Sequence, residues 1–194
     1  MSRSKAKPVF QPDDFSCGPV ALKTALSILR VKSSVKELKT ICKTNSRGTS
    51  IPNLIRGANR KGVYVMAIEW ATLKHLQSAL KYAAGQPRAV IVDYLYKDAT
   101  PHEETGHYAT VSGFSSRSSR IILLDSYTGT KKSYRWTDFL DRWYDYDYQR
   151  VKAEHSIRRY QLYKRWRNRL MLVLARDPKH LPKFRNSTKK IYLP

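Results

Sequence analysis

Cysteine is scarce in this sequence, with only Cys17 and Cys42 among 194 residues. Two cysteines make no disulfide framework, and without CxxC spacing they make no zinc-ligand set. Long apolar runs are also missing. The basic segment MSRSKAKPVFQPDD leads into no hydrophobic stretch of signal-peptide length, and nothing elsewhere reaches the ~20 apolar residues of a membrane span. The expectation is a chain made without a cleaved signal and working in the cytoplasm, with a virion as the setting if the protein is viral. Glycine is sparse, at eight residues, and neither a glycine-rich phosphate loop nor an internal repeat occurs.

Acidic residues are the third shortage. Fifteen Asp and Glu face 37 Lys and Arg, a formal charge of +22. Such a field draws polyanions: nucleic acid, an anionic membrane surface or an acidic protein. It carries no information about catalysis. Residues 150–194 hold 14 Lys or Arg against only Glu154 and Asp177, so more than half of the excess sits in the last quarter.

What remains is enough for one substantial core. Residues 1–8 are polar, basic and aperiodic, and read as a flexible arm; 9–149 read as the main domain; 150–194 read as a basic, partly helical extension. Within GPVALKTALSILR, two sets of apolar residues (Leu22, Leu26, Leu29 and Ala21, Ala25, Ile28) follow helical spacing, which predicts a centrally buried helix. Shorter helices are predicted over 35–42, 50–61 and 72–84, with a strand over 63–70 between the last two. RAVIVDYLY is strand-like, and KDATPHEETG reads as a loop ending at Gly106. HYATVSGF and IILLDSY, joined by a Ser/Arg-rich turn, predict a hairpin that brings His107 and Asp125 to one edge. From Thr137 the pattern turns helical, with Phe139, Leu140 and Trp143 as core contacts, and Tyr163, Trp166, Leu170 and Val173 share a helical face in the tail. Helices first and a sheet after them give the class α+β.

The segment QPDDFSCGPVALKTAL places Cys17 at the N-terminus of the buried helix. Helix-end amides and the macrodipole favour an anion there, and the thiolate is the reactive form of cysteine. Six residues upstream, Gln11 offers an amide that can join the Cys17 backbone N–H in stabilising an oxyanion. Gly18 leaves room for a substrate to approach.

This segment resembles the papain-like cysteine peptidases that process bacteriocin leader peptides after a double glycine. Their motif is a Gln followed six positions later by Cys-Gly-Pro and then Ala-Leu, and each of those positions matches. The likeness continues through GTSIPNLIRGANRKGVYVMAI, GQPRAVIVDY, GHYATVSGF and LLDSYTGTKKSYRWTDFLDRW, spanning roughly residues 9–145. It implies a papain-like fold and a Cys17–His107–Asp125 triad with Gln11 in the oxyanion hole. His107 would be the base, Asp125 the group orienting it, and Gly18 and Gly106 substrate contacts. A protein or peptide substrate is implied, hydrolysed through a thioester acyl-enzyme with no metal or organic cofactor. Ser126 departs from the family, which usually has proline after the Asp.

Each of these residues also has a plainer reading: a buried thiol, a structural histidine, a strand-end aspartate. Only their ordered combination favours catalysis. Cys42 reads as core, Trp136 and Trp143 as packing residues, and His75, His102, His155 and His180 as surface residues without a role. Glu103 and Glu104, just before His107, would select a basic substrate if they do more than meet solvent. The reading from another class is a polyanion-binding protein on an inactive or secondary peptidase scaffold, with basic residues interleaved with Tyr160, Tyr163 and Trp166 contacting nucleic acid. The same tail would serve for docking on anionic membrane, and no oligomeric state is assigned.

Overall fold

Helix α1, Cys17–Ile28, organises the molecule. Its second and third residues are Gly18 and Pro19, and the missing proline N–H costs nothing in a first turn. Leu22, Ala25 and Leu26 are fully buried, so the two apolar stripes do mark a central helix. α2, Val35–Ile41, begins with a capping box in which the Ser34 hydroxyl accepts the Glu37 N–H and the Glu37 carboxylate accepts the Ser34 N–H. α3, Ile51–Arg60, packs beside both. Gly57 allows that approach, since a Cβ there would stand 2.3 Å from Cys42 Sγ.

The structure, a computed structural model, describes residues 6–97, 104–152, 160–184 and 189–192. Beyond α3 it consists of β1 Tyr64–Ile68, α4 Leu73–Leu80, β2 Ala89–Lys97, β3 Glu104–Ser115, β4 Arg120–Leu124, β5 Lys131–Arg135, α5 Trp136–Leu140, β6 Tyr144–Lys152, β7 Tyr160–Asn168, β8 Met171–Ala175 and β9 Lys189–Tyr192. Seven strands form one sheet in the order β5-β4-β3-β2-β8-β1-β9, with every neighbouring pair antiparallel. The fold is α+β, with a papain-like arrangement of helices against an antiparallel sheet.

Alternation along the strands divides the core in two. Val65, Ile91, Leu172 and Leu174 face α1, α2 and α3. Met66, Val90, Val92, Val173 and Ile121 face the other way, against α4 and the aromatic cluster of Phe139 and Trp143. The expected core contacts Phe139 and Trp143 are fully buried, and Leu140 packs against them.

Three expectations need correction. The tail is strand where a helix was predicted: β6 and β7 pair from Tyr144–Asn168 to Lys152–Tyr160 as a separate two-stranded ribbon, and β8 lies between β1 and β2. Met171 through Ala175 are all buried because both faces of β8 are covered, so the run carries no alternation to mark it as strand. The sheet therefore does not stop at residue 149. Second, the loop before His107 is shorter than expected, since Glu104, Thr105 and Gly106 already pair with Lys97, Tyr96 and Leu95, and His107 lies inside β3. Third, the helical pattern after Thr137 is spent in the five residues of α5. Residues 1–5 of the expected arm lie outside the described residues, as do His102, Glu103 and His155.

Candidate active site

β4 pairs with β3 only from Thr110 to Ser115, so β3 runs on past its neighbour at residues 107–109. The N-terminus of α1 reaches β3 there, and the amides of Tyr108 and Gly18 both donate to the Cys17 sulfur. Burial pushes the Cys17 thiol up. His107, by hydrogen bond and by charge, and then those two amides more than reverse this, and the thiol stands below its ordinary value. Cys42 shows the contrast: it has burial without such partners, and its thiol is pushed up to about 12. Both cysteines are free.

The His107 imidazole bridges Cys17 and Asp125. Its Nε2 lies 3.5 Å from Asp125 Oδ1, an ion-pair contact without hydrogen-bond geometry, which leaves Nδ1 for the sulfur. Burial acts to lower the imidazolium pKa, but the Asp125 carboxylate and the Cys17 sulfur raise it to about 9. For Asp125, burial acts upward while His107 and then Lys132 hold the carboxyl down at about 2. Asp125 also caps the turn that follows it, Oδ1 accepting the Tyr127 N–H at 2.7 Å and the Thr128 N–H at 3.4 Å. The hairpin thus brings His107 and Asp125 together as expected, and α1 brings Cys17 to them.

Gln11 is buried beside this group, its backbone N–H donating to the Ser126 carbonyl at 2.8 Å. Between Gln11 and Cys17 the chain is held by Asp13, whose carboxylate accepts from the Ser16 hydroxyl and the Phe15 N–H and pairs with Lys39 at 2.5 Å. The two glycines have neighbours within the protein: a Cβ on Gly18 would meet Thr49 Cβ at 2.9 Å, and one on Gly106 would meet Asp145 Oδ2 at 1.9 Å.

Sequence reasoning missed Lys132. Its Nζ lies 3.1 Å from Asp125 Oδ2, donates to the Tyr96 hydroxyl and sits 4.0 Å from the Tyr96 ring centroid. The Tyr96 and Tyr94 rings in turn pack on the His107 imidazole, at 5.1 Å and 5.7 Å between centroids. The signal was available in YTGT, a turn that folds Lys132 back opposite Leu123, two residues before Asp125. Among the described residues no cluster of His, Cys, Asp or Glu is placed to hold a metal ion, and no helix is long and apolar enough to cross a membrane.

A polarised thiol at a helix N-terminus, an imidazole able to take and return its proton, and a carboxylate fixing the imidazole can together carry out acyl transfer. The model of the Peptidase_C39 like family matches residues 4–151. No curated protein matches the chain in sequence. Among solved structures, the peptidase domain of Streptococcus ComA, a bi-functional ABC transporter involved in a quorum sensing pathway, superposes with a TM-score of 0.61 at 19% identity, covering 89% of this chain and 99% of its own. A double glycine motif protease from an AMS/PCAT transporter, in complex with the leader peptide, gives 0.61 at 11% identity over 90% and 94%. The Streptococcus mutans ComA peptidase domain gives 0.53 at 18% identity over 87% and 98%. These superpositions cover more of the chain than residues 4–151, in keeping with a sheet completed by β8.

Proposed function

The chain belongs to the Peptidase_C39 like family of cysteine peptidases, and we propose that it cleaves peptide bonds with Cys17 as nucleophile, His107 as general base and acid, and Asp125 as the group that orients His107. The observation carrying this reading is the placement of His107 between a thiol held below its ordinary pKa and a buried carboxylate. The thiolate attacks the scissile carbonyl. The oxygen that gains charge is met by the Cys17 N–H and the Gln11 amide, and the imidazolium protonates the leaving amine. Water, deprotonated by His107, then releases the acyl group and restores the thiol.

The substrate proposed is a peptide with a double-glycine motif. What supports it is the likeness to a protease of that motif holding a leader peptide. The test is cleavage of a peptide library biased toward Gly-Gly, run with Cys17→Ala as control, together with iodoacetamide labelling at neutral pH. Cys17 should be alkylated in preference to Cys42, and Cys17→Ala should abolish both this labelling and the cleavage. Equal labelling of the two cysteines, or cleavage surviving in Cys17→Ala, would count against the assignment.

A second reading, polyanion binding, is favoured by the ribbon. Trp166 is 51% and Tyr163 62% exposed, the Tyr144 ring lies tilted and the Tyr146 ring edge-on to Trp166, and Arg165 is open to solvent. At the ribbon's base the Arg169 guanidinium lies 5.3 Å from the ring of exposed Trp70. Aromatic faces among cations on a chain of charge +22 suit unpaired bases along a phosphate backbone. Titration with a single-stranded oligonucleotide should quench Trp fluorescence, with affinity falling steeply in salt and falling again in Trp166→Ala and Arg165→Ala. Anionic vesicles form the comparison arm, and binding unaltered by either substitution removes this reading.

A further inference from the structure

We infer that Ser126 is the positioning residue of the oxyanion hole, fixing which end of the Gln11 amide faces the reacting carbonyl. This rests on the peptidase reading above. Gln11 and Ser126 are both buried and are joined twice: the Gln11 N–H donates to the Ser126 carbonyl at 2.8 Å, and the Ser126 hydroxyl donates to Gln11 Oε1 at 2.8 Å. At the other end of the amide, Nε2 donates to the Asp13 carbonyl at 2.9 Å.

The partners leave one orientation. Asp13 O can only accept, so turning the amide by 180° would set Oε1 against a carbonyl oxygen and Nε2 against the hydroxyl. With Oε1 held by Ser126 and one Nε2 proton on Asp13 O, the second Nε2 proton is the one left for an oxyanion. The backbone N–H to Ser126 O bond sets where the Gln11 Cα stands, and the side-chain bond sets where its amide turns. Asp125 and Ser126 are consecutive, so one dipeptide after β4 orients both the base and the oxyanion donor. The site is thereby tied at two points to a single turn.

A residue of this kind acts only on steps in which an oxygen enters the hole. A peptide aldehyde reports such a step: Cys17 sulfur bonds to the aldehyde carbon, the C=O π pair moves to oxygen, and the thiol proton ends on that oxygen as a hemithioacetal. Iodoacetamide does not, because sulfur displaces iodide from carbon and no oxygen gains charge. In Ser126→Ala the affinity for a reversible peptide aldehyde should fall about 10-fold, a fraction of what losing an oxyanion donor outright costs. Alkylation of Cys17 should keep its wild-type rate. Ser126→Thr, which retains the hydroxyl, should restore aldehyde affinity, and in a Gln11→Ala background Ser126→Ala should add nothing.

Unchanged aldehyde affinity in Ser126→Ala, a parallel fall in alkylation, or a full further loss in the Gln11→Ala background would each overturn the assignment. If wild-type Cys17 is alkylated but forms no aldehyde adduct, the peptidase reading itself fails and takes the Ser126 role with it. Those outcomes are distinct because the wild type is measured with both reagents.

Discussion

Lys132 Nζ stands 3.1 Å from Asp125 Oδ2 while Oδ1 of the same carboxylate faces His107. Asp125 is therefore shared between two cations and is itself fully buried. Lys132 supports the carboxylate's charge but repels the imidazolium beyond it. Replacing Lys132 with Gln should destabilise the fold by about 1–2 kcal/mol, less than breaking a wholly buried pair because Lys132 reaches solvent. It should also move the alkaline limb of the pH–rate profile upward. Thermal melts and a pH profile of kcat/KM check the two effects separately, and an alkaline limb that moves down would contradict the repulsion.

Cleavage and alkylation should part company in alkali. The folded His107 titrates at about 9 against 6.5 for the free side chain, so its contribution to stability is complete below 6.5 and is lost as pH rises through about 9. Asp125 runs the other way, its contribution present above 3.8 and lost as pH falls through about 2. Peptide cleavage, which needs the imidazolium to protonate the leaving amine, should fall above about pH 9. Iodoacetamide alkylation needs only the thiolate and should not. His107→Ala should lower cleavage by about 10²–10⁴-fold.

Gly106 is constrained by Asp145, whose Oδ2 lies 1.9 Å from where a Cβ would stand. Gly106→Ala must push that carboxylate aside. The expected cost is about 1–2 kcal/mol. Combining it with Asp145→Ala removes the obstruction, so chemical denaturation of the double variant should show less than the sum of the single losses. Strict additivity would show that the contact is not what makes glycine necessary.

A chain ending at residue 149 should not fold. It lacks the strand that joins β1 to β2 through ladders on both sides, Tyr64–Ile68 on one edge and Ala89–Val92 on the other. Circular dichroism and Cys17 labelling of this truncated chain decide the point. A cooperative melt with selective Cys17 reactivity would show that the sheet can close without β8.

The parts of the site legible in sequence were those set by local periodicity. α1 with Cys17 at its first residue follows from helical spacing, and the meeting of His107 with Asp125 follows from a hairpin whose strands are adjacent in the chain. β8 was not legible, because a strand covered on both faces shows a continuous apolar run, and the positions around it happen to coincide with a helical stripe. Its partners are roughly 80 to 110 residues away in sequence, beyond the reach of any local pattern. Lys132 reaches Asp125 through the YTGT turn, a signal left unread, and Ser126, marked only by its departure from the family's proline, bonds an amide 115 residues away. Gly18 and Gly106, expected as substrate contacts, each have an internal packing neighbour, Thr49 and Asp145.

The place of β8 ties the site to a distant part of the chain. The nucleophile, the base and the orienting acid all precede β8 in the chain, and β3, which carries His107, rests on β2, whose other edge pairs with residues 171–175 of β8. Closure waits on contacts between segments far apart in the chain, the slow kind of assembly. The sheet against which α1 sets the thiol is thus completed by a segment remote in sequence from Cys17, His107 and Asp125 alike.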